Sequence, residues 1–178
     1  MATAVTMTGL EFDALPLEQC RDLELLDGEV IQLVSPTPNH QDIVLNVAFA
    51  LKAHLKPKGA WVSTDVEFAI APNVRLRPDV WVVLAPRAAT IDGSRMPISG
   101  SPDLAVEVIS PSEYASQILR KAEFNLDHGT HEVWQIYPET REVMIHGPEG
   151  RARRCREGET LVSWLLPDLN VSVSSFFG

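Results

Sequence analysis

One acidic residue interrupts an otherwise apolar stretch in the second half of the chain. Glu107 lies within residues 104–109, whose other members are all aliphatic. An apolar run of this length is typical of a β-strand that is covered on both faces. An ionised carboxylate in such a strand loses its hydration, so it needs a metal ion or a cationic side chain beside it. Glu107 is therefore the first candidate for a functional residue.

Two further residues could complete a site around Glu107. Asp79 begins a second hydrophobic strand, and its carboxylate could meet that of Glu107 if the two strands are neighbours. Mg²⁺ and Mn²⁺ are typically held by one or two carboxylates together with water and substrate phosphate. Lys121 lies on the helix that follows Glu107, at the edge of its apolar stripe, and could add positive charge to the same place. This set predicts metal-assisted chemistry on a phosphoryl group.

Each of these residues also has a purely structural interpretation. Glu107 could be neutralised by a nearby arginine, since a buried charge needs only a partner. Asp79 could be a turn or cap residue, and Lys121 could extend from the border of an amphipathic helix into solvent. A zinc hydrolase that uses His128 and His131 is a further interpretation, although both histidines flank the glycine at which the helix should end.

Hydrophobic periodicity and turn residues predict the elements that position these side chains. The predicted helices cover residues 8–15, residues 39–55 with Asn39 as cap, and a third segment capped by Ser112 and closed by Gly129. The predicted strands cover residues 22–26 and 29–34, which form a hairpin at Asp27-Gly28, then 61–65, 66–70, 79–84, 104–109, 132–137, 142–146, 151–155 and 169–173. Residues 85–100 are expected to form a loop. The sum is an α+β fold with a mixed central sheet flanked by helices and an antiparallel C-terminal meander.

Composition and charge restrict the class of protein. The 178 residues, 45% of them hydrophobic, predict a single domain over residues 1–178. No apolar run approaches the roughly 20 residues that cross a bilayer, so we expect a soluble, cytoplasmic protein without membrane contact. Its two cysteines, Cys20 and Cys155, are expected to be reduced.

The net charge of −9 has the wrong sign for a nucleic-acid binder, so any such contact must use local basic patches. The apolar Phe176-Phe177 tail, together with exposed strand edges, favours a homodimer.

Several short motifs, taken in order, resemble the Uma-two family of candidate endonucleases. They are Glu24 with Asp27-Gly28-Glu29, Pro38-Asn39-His40-Gln41, Arg77-Pro78-Asp79-Val80, residues 102–112, Lys121, and Gly129 with Glu132-Val133-Trp134. The family is similar to the restriction-endonuclease-like superfamily. The PD…(D/E)xK signature of that superfamily puts an Asp and a second acidic residue on adjacent strands as metal ligands, with a lysine beside them. The resemblance spans nearly the whole chain.

The resemblance implies a restriction-endonuclease-like core and a Mg²⁺- or Mn²⁺-dependent nuclease that hydrolyses phosphodiester bonds, with DNA as the expected nucleic-acid partner. Asp79 and Glu107 would bind the metal, and the carbonyl of Val108 would be a further ligand. The lysine position of the signature holds Ile109 instead. Lys121 matches the helical position at which family members commonly carry the lysine.

The resemblance also implies that Glu29 and His40 line the same cleft. Gln117 and Asn125 stand where the family often has an acidic and an aromatic residue. A catalytically weak or inactive member of the same fold, serving as a nucleic-acid-binding or interaction module, therefore remains the alternative to a nuclease.

Overall fold

Two β-sheets and four α-helices make up the protein in this computed structural model, which describes residues 6–178. The helices are α1 (Gly9–Asp13), α2 (Leu17–Cys20), α3 (Pro38–Leu55) and α4 (Ala115–Asp127). The strands are β1 (Leu23–Leu26), β2 (Glu29–Gln32), β3 (Trp61–Thr64), β4 (Phe68–Ala71), β5 (Val74–Leu76), β6 (Val80–Val83), β7 (Ile98–Ser99), β8 (Leu104–Val108), β9 (Glu132–Tyr137), β10 (Glu142–His146) and β11 (Ala152–Arg156).

The first sheet has the strand order β2-β1-β5-β4-β7, and the second has the order β11-β10-β9-β8-β6-β3. In the second sheet β8 and β9 run parallel, and the other neighbours are antiparallel. Parallel neighbours need a crossover connection, which α4 supplies between β8 and β9. The predicted α+β fold with a mixed sheet flanked by helices and a C-terminal antiparallel meander is confirmed.

The two faces of the second sheet are covered by different helices. One face packs on α3 through aliphatic side chains, namely Val44, Val47, Leu51, Val80, Val82, Leu104, Val106 and Val108. On the other face Ala105 and Val133 pack against Ala122 of α4. Because side chains alternate along a strand, Glu107 shares its face with Ala105 and points toward α4.

Local capping and turn signals explain how the elements around the site begin. Asp27 and Gly28 have φ values of 52° and 81°, and the tight β1–β2 hairpin needs positive φ at both positions. Thr37, rather than the predicted Asn39, caps α3 by accepting a hydrogen bond from the backbone N–H of His40 at 3.2 Å. Pro38 occupies the first helical position, which proline favours because its φ is already helical.

Three other boundaries differ from the sequence-based expectation. Tyr114, not Ser112, precedes the first turn of α4. The expected loop over residues 85–100 contains the short strand β7. Strand β5 was not among the predicted strands. The Arg75 side chain in it is buried and forms a two-contact ion pair with Asp13, at 2.7 Å for each contact.

The predicted last strand over residues 169–173 is wrong. A single bridge joins Thr160 and Ser172, and Val173–Phe176 forms a 3₁₀ turn instead. Phe176 is fully buried in the core beneath α3, and the guanidinium of Arg141 lies 4.9 Å above the ring centre of Phe177. The tail is thus occupied within the same chain, and it no longer supports the predicted homodimer.

Two simple expectations can be compared directly with the structure. Cys20 and Cys155 are both free thiols, as predicted. Within residues 6–178, no helix is both long enough and apolar enough to cross a bilayer.

Glu132 fixes the C-terminal segment to the start of β9. Its buried carboxylate accepts hydrogen bonds from Ser163 Oγ at 2.7 Å, from the indole N–H of Trp134 at 2.9 Å and from the backbone N–H of Leu165 at 2.8 Å. The backbone N–H of Trp164 donates to it as well. A buried carboxylate satisfied in this way stabilises the fold through the donors that it pairs.

Replacing Glu132 with alanine should therefore destabilise the protein by about 3 kcal/mol or more, since it leaves several buried donors without an acceptor. Urea unfolding followed by far-UV circular dichroism measures the change. The matched control is Glu123→Ala on the exposed side of α4, which should change stability by less than about 0.5 kcal/mol. Equal effects of the two substitutions would contradict the role given to Glu132.

Candidate active site

The structure brings Asp79 and Glu107 into the lining of one cleft. Val80 lies directly opposite Val106 at the end of the antiparallel β6–β8 pair. Asp79 immediately precedes Val80, and Glu107 immediately follows Val106 on β8. Two carboxylates that were far apart in sequence thus lie at the same end of two adjacent strands.

Asp79 is fixed by the backbone of β8. Its Oδ2 accepts a hydrogen bond from the N–H of Val108 at 2.7 Å, just beyond the end of the β6–β8 ladder. In a strand the N–H and C=O of one residue point to the same side, so the Val108 carbonyl also faces the Asp79 end of β6. The Val108 carbonyl is therefore on the same side of β8 as Asp79, and its role as a metal ligand stays a prediction.

His40 reaches the same carboxylate from the first turn of α3. Its Nε2 lies 3.4 Å from Asp79 Oδ2. The hydrogen bond with Asp79 raises the pKa of His40 above its ordinary value, while burial opposes the rise and the Val108 backbone adds to it. His40 thus lines the cleft and lies close to both Asp79 and the Val108 backbone.

Lys121 projects from α4 into a space between two carboxylates. Its Nζ lies 2.8 Å from Glu24 Oε2 and 3.6 Å from Glu107 Oε2, and the residue is only 7% exposed. Burial alone would lower the pKa of Lys121, but the charges of Glu107 and Glu24 outweigh burial and raise it. The ammonium group therefore keeps its proton and acts as a fixed positive charge.

Glu24 is among the motif residues of the resemblance, but it was not predicted as a site residue. It lies on β1, is 1% exposed, and accepts the backbone N–H of Arg77 on Oε1 at 2.7 Å while Oε2 faces Lys121. The signal was present in the sequence. Glu24 is an acid within the apolar run of residues 23–26, which is the same pattern that singled out Glu107.

Glu29 lies elsewhere. It does not line the cleft but forms an ion pair with Arg120 of α4 at 2.8 Å, with both side chains roughly 40% exposed. This contact ties the edge strand β2 to α4. The implied position of Glu29 in the cleft is thus not what the structure shows, and Glu24 on the neighbouring strand of the hairpin makes the contact with the lysine.

Glu107 is buried beside one cation and several carboxylates. Burial raises the pKa of Glu107 well above its ordinary value; Lys121 opposes the rise, and the charges of Asp79 and Glu24 add to it. Oε1 of Glu107 is buried and has no hydrogen-bond partner among residues 6–178. An unpaired carboxylate oxygen beside a second carboxylate fits a hard divalent cation such as Mg²⁺ or Mn²⁺.

The protein would supply few ligands to such an ion. No group of three or more His, Cys, Asp or Glu side chains converges as a metal site in the described part of the chain. Asp79, Glu107 and the Val108 carbonyl would leave the remaining positions to water and phosphate oxygens, which is the usual arrangement for Mg²⁺.

The zinc interpretation has no such support. The His128 ring stacks on Phe124 with 5.4 Å between ring centres, and His131 Nδ1 lies 3.5 Å from Asp103 Oδ1. Each histidine is held by a different partner.

Gln117 and Asn125 also lie outside the cleft lining. Asn125 is fully buried, donates to the Lys121 carbonyl at 3.0 Å and accepts the Thr130 hydroxyl at 3.3 Å. It therefore fixes the end of α4. The acid that does line the cleft from this segment is Glu113, whose Oε2 accepts the N–H of Ser110 at 2.7 Å.

These side chains open onto a cleft of about 870 Å³. We call five of its lining residues the floor, namely His40, Asp79, Glu107, Val108 and Lys121. The other lining residues are grouped here by chain segment. The name α3 wall is used for residues 21–22, 33–37, 39, 41, 44, 64–65 and 77, which include the start of α3. The name α4 wall is used for residues 109–111 and 113, which precede α4, together with residues 138–139.

The sequence matches the Uma2 family, described as "Putative restriction endonuclease", over residues 10–174. The chain belongs to the Uma2 family. The structure is similar to the crystal structure of "a putative nuclease belonging to DUF820 from Anabaena variabilis ATCC 29413", with a TM-score of 0.84 and 21% sequence identity over 96% of this chain and 97% of that chain. No curated protein shows a significant match. The resemblance seen in the sequence motifs is thus confirmed at the level of family and fold.

Glu24 and Lys121 of this Uma2 protein should be energetically coupled. Glu24→Gln keeps an oxygen for the Arg77 N–H but leaves the buried ammonium with less compensation, so it should cost about 2–4 kcal/mol of unfolding free energy. Lys121→Met should also destabilise the protein. The double variant should lose less unfolding free energy than the two single variants lose together, by more than about 1 kcal/mol. The reason is that each substitution removes the same interaction.

Urea unfolding of all four proteins of this cycle gives the coupling energy. Glu29→Gln on the same hairpin is the matched control, since its exposed ion pair should contribute less than about 1 kcal/mol. Strict additivity of the two losses would show that the Glu24–Lys121 contact does not stabilise the fold.

Proposed function

We propose that this Uma2 protein is a Mg²⁺- or Mn²⁺-dependent nuclease that hydrolyses phosphodiester bonds of DNA. The observation that carries the proposal is the pair of carboxylates, Asp79 and Glu107, which line one cleft with the Lys121 ammonium 3.6 Å from Glu107 Oε2. The description of the family as a restriction endonuclease supports the reaction class.

The two carboxylates each keep one oxygen available. Oδ2 of Asp79 is engaged by Val108 and His40, while its Oδ1 accepts no hydrogen bond from residues 6–178. Oε2 of Glu107 faces Lys121, and Oε1 is the buried oxygen without a hydrogen-bond partner. The available oxygens can therefore hold one cation between them without breaking the contacts that position the side chains. When bound, Mg²⁺ or Mn²⁺ would lower the pKa of a water molecule and stabilise charge on a phosphoryl group.

The cleft is acidic, so a polyanionic substrate could bind in it only together with a cation. Six carboxylates line it, those of Asp22, Asp65, Asp79, Glu107, Glu113 and Glu139, against the three permanent cations Arg21, Arg77 and Lys121. Like charges repel strongly in a partly enclosed space of low dielectric constant. A phosphodiester could enter such a cleft only with added positive charge at the floor.

Lys121 has an electrostatic role in this proposal. Its ammonium lies between Glu24 and Glu107 and keeps its proton, so it cannot take a proton from the attacking water. It can donate a hydrogen bond to that water or to a phosphate oxygen, and it offsets the negative charge that develops there. Glu24 positions the lysine rather than contacting substrate.

Removing the acidic groups or the lysine should abolish cleavage. Supercoiled plasmid and single-stranded DNA are incubated with purified protein in Mg²⁺, Mn²⁺ or chelator. Cleavage should require metal, and Asp79→Asn, Glu107→Gln and Lys121→Met should each lower its rate by about 100-fold or more, since each removes a group that acts on the developing charge. Glu29→Gln, outside the cleft, should keep the rate within about threefold of the unaltered protein. Equal residual cleavage by all variants would assign the activity to a contaminant.

A binding or interaction module of the same fold is the second candidate, and the acidic lining of the cleft favours it. Thermal unfolding separates the two. Mg²⁺ or Mn²⁺ should raise the Tm of the unaltered protein but not that of Asp79→Asn or Glu107→Gln, because only the intact pair binds the ion. A module without a metal site would show no such difference.

A further inference from the structure

The two walls of the cleft differ in charge. The α4 wall carries Glu113 and Glu139 and no cationic side chain. The α3 wall carries two acids, Asp22 and Asp65, together with Arg21 and Arg77. A nucleic-acid strand that passes through the cleft would therefore meet net repulsion on the α4 wall and a balanced charge on the α3 wall.

The two arginines of the α3 wall are not equivalent. Arg77 is engaged inside the protein: its guanidinium donates to the Arg21 carbonyl at 2.8 Å and lies 3.5 Å from Glu67 and 3.8 Å from Asp65. The side chain is only 11% exposed. Arg77 thus serves as a structural tie between β5 and the segment before β1.

Arg21 is available to a ligand. Its side chain is exposed, and no carboxylate of residues 6–178 lies within ion-pairing distance of its guanidinium. Its backbone is held in place, because the carbonyl accepts the hydrogen bond from Arg77. Arg21 therefore combines a fixed anchoring point with an uncompensated cation at the edge of the cleft, and a guanidinium can bind two phosphate oxygens at once.

Neutral polar groups line the same cleft as Arg21. Ser35, Thr37, Asn39 and Gln41 all line this side of the cleft. The N-terminus of α3 lies here too, and its dipole has the sign that favours an anion. The α4 wall offers Ile109, Pro111 and Pro138 beside its two acids, so it has less capacity to bind phosphate.

We propose that Arg21 binds a phosphate of the DNA strand adjacent to the scissile phosphodiester, so that the strand lies along the α3 wall. This inference rests on the proposed nuclease function and adds the direction from which the substrate enters. Arg21 would act in binding, not in the chemical step, because Asp79, Glu107 and Lys121 form the reacting part of the floor.

The salt dependence of DNA binding tests the role of Arg21. A fluorescent DNA duplex is titrated with protein in Ca²⁺, with cleavage monitored in parallel, and fluorescence anisotropy gives the Kd from about 50 to 200 mM salt. Arg21→Gln should weaken binding about 5- to 10-fold at 100 mM salt and reduce the slope of log K against log salt by about 0.9, the value for one phosphate contact. Arg21→Lys should restore most of the slope, since it keeps the charge.

Kinetics in Mg²⁺ give an independent readout. Arg21→Gln should raise KM and leave kcat within about twofold, because it removes binding that is equal in the ground state and the transition state. Arg95→Gln is the matched control, since Arg95 is an arginine 84% exposed on a loop outside the cleft. The Arg95→Gln substitution should leave the Kd, the slope of log K against log salt and the KM unchanged. The Tm of Arg21→Gln should equal that of the unaltered protein, as its side chain makes no contact that stabilises the fold.

The outcomes separate the inference from the proposed function. If the unaltered protein binds and cleaves DNA and Arg21→Gln matches it in Kd and slope, Arg21 is not a phosphate ligand and only this inference is overturned. If the folded, unaltered protein neither binds nor cleaves DNA, the proposed function and the inference fail together. A loss in Arg21→Gln that Arg21→Lys recovers, with Arg95→Gln unchanged, supports both.

Discussion

The buried ammonium of Lys121 is the interaction on which the rest of the site depends. It lies between Glu24 of the first sheet and Glu107 of the second, and α4 carries it into the space where the two sheets meet. Three charged groups in such a place cost desolvation energy, and their mutual attraction offsets that cost only when the geometry is held closely. Ala122, which follows Lys121 on α4, packs against Ala105 and Val133 of the second sheet and so holds the lysine in place. One contact therefore joins both sheets and presents a fixed positive charge to the cleft.

The carboxylates of the floor are arranged around this charge by the ends of regular elements. Asp79 precedes β6 and pairs with the backbone of β8, while His40 reaches it from the first turn of α3. Each acid has one oxygen engaged by the protein and one without a protein donor among residues 6–178. Oxygens held in this way are preorganised, so a cation could bind without rearrangement of the side chains. Burial raises the pKa of Glu107, Lys121 opposes the rise, and the neighbouring carboxylates of Asp79 and Glu24 add to it.

The acidity of the protein is compatible with action on a polyanion when the charges are considered by location. The net charge of −9 is spread over the whole chain, whereas substrate would respond to the local field of the cleft. At the floor, negative charge is what a divalent cation requires. The two walls differ in their balance of positive and negative side chains, because only the α3 wall has cations that offset its acids. Membership of the Uma2 family, described as "Putative restriction endonuclease", agrees with this arrangement.

The sequence by itself determined the fold class, most of the strands and the identity of three floor residues. Three local patterns identified these residues: an acid in an apolar strand, a Pro-Asp at a strand start and a lysine on the following helix. Local patterns can be recognised in the sequence without knowledge of the fold. The β1–β2 hairpin was equally local, because Asp27-Gly28 accommodates the positive φ that its turn needs. Only the tertiary structure decided which acid meets Lys121. Glu24 and Glu29 lie on paired strands of one hairpin, and their separate partners depend on how α4 crosses the first sheet. The pairing of β6 with β8, which brings Asp79 and Glu107 to one cleft, is likewise long-range, and so is the burial of Phe176 where a last strand was predicted. Hydrophobic periodicity shows which face of a helix or strand is buried, but it does not specify which other element packs against that face.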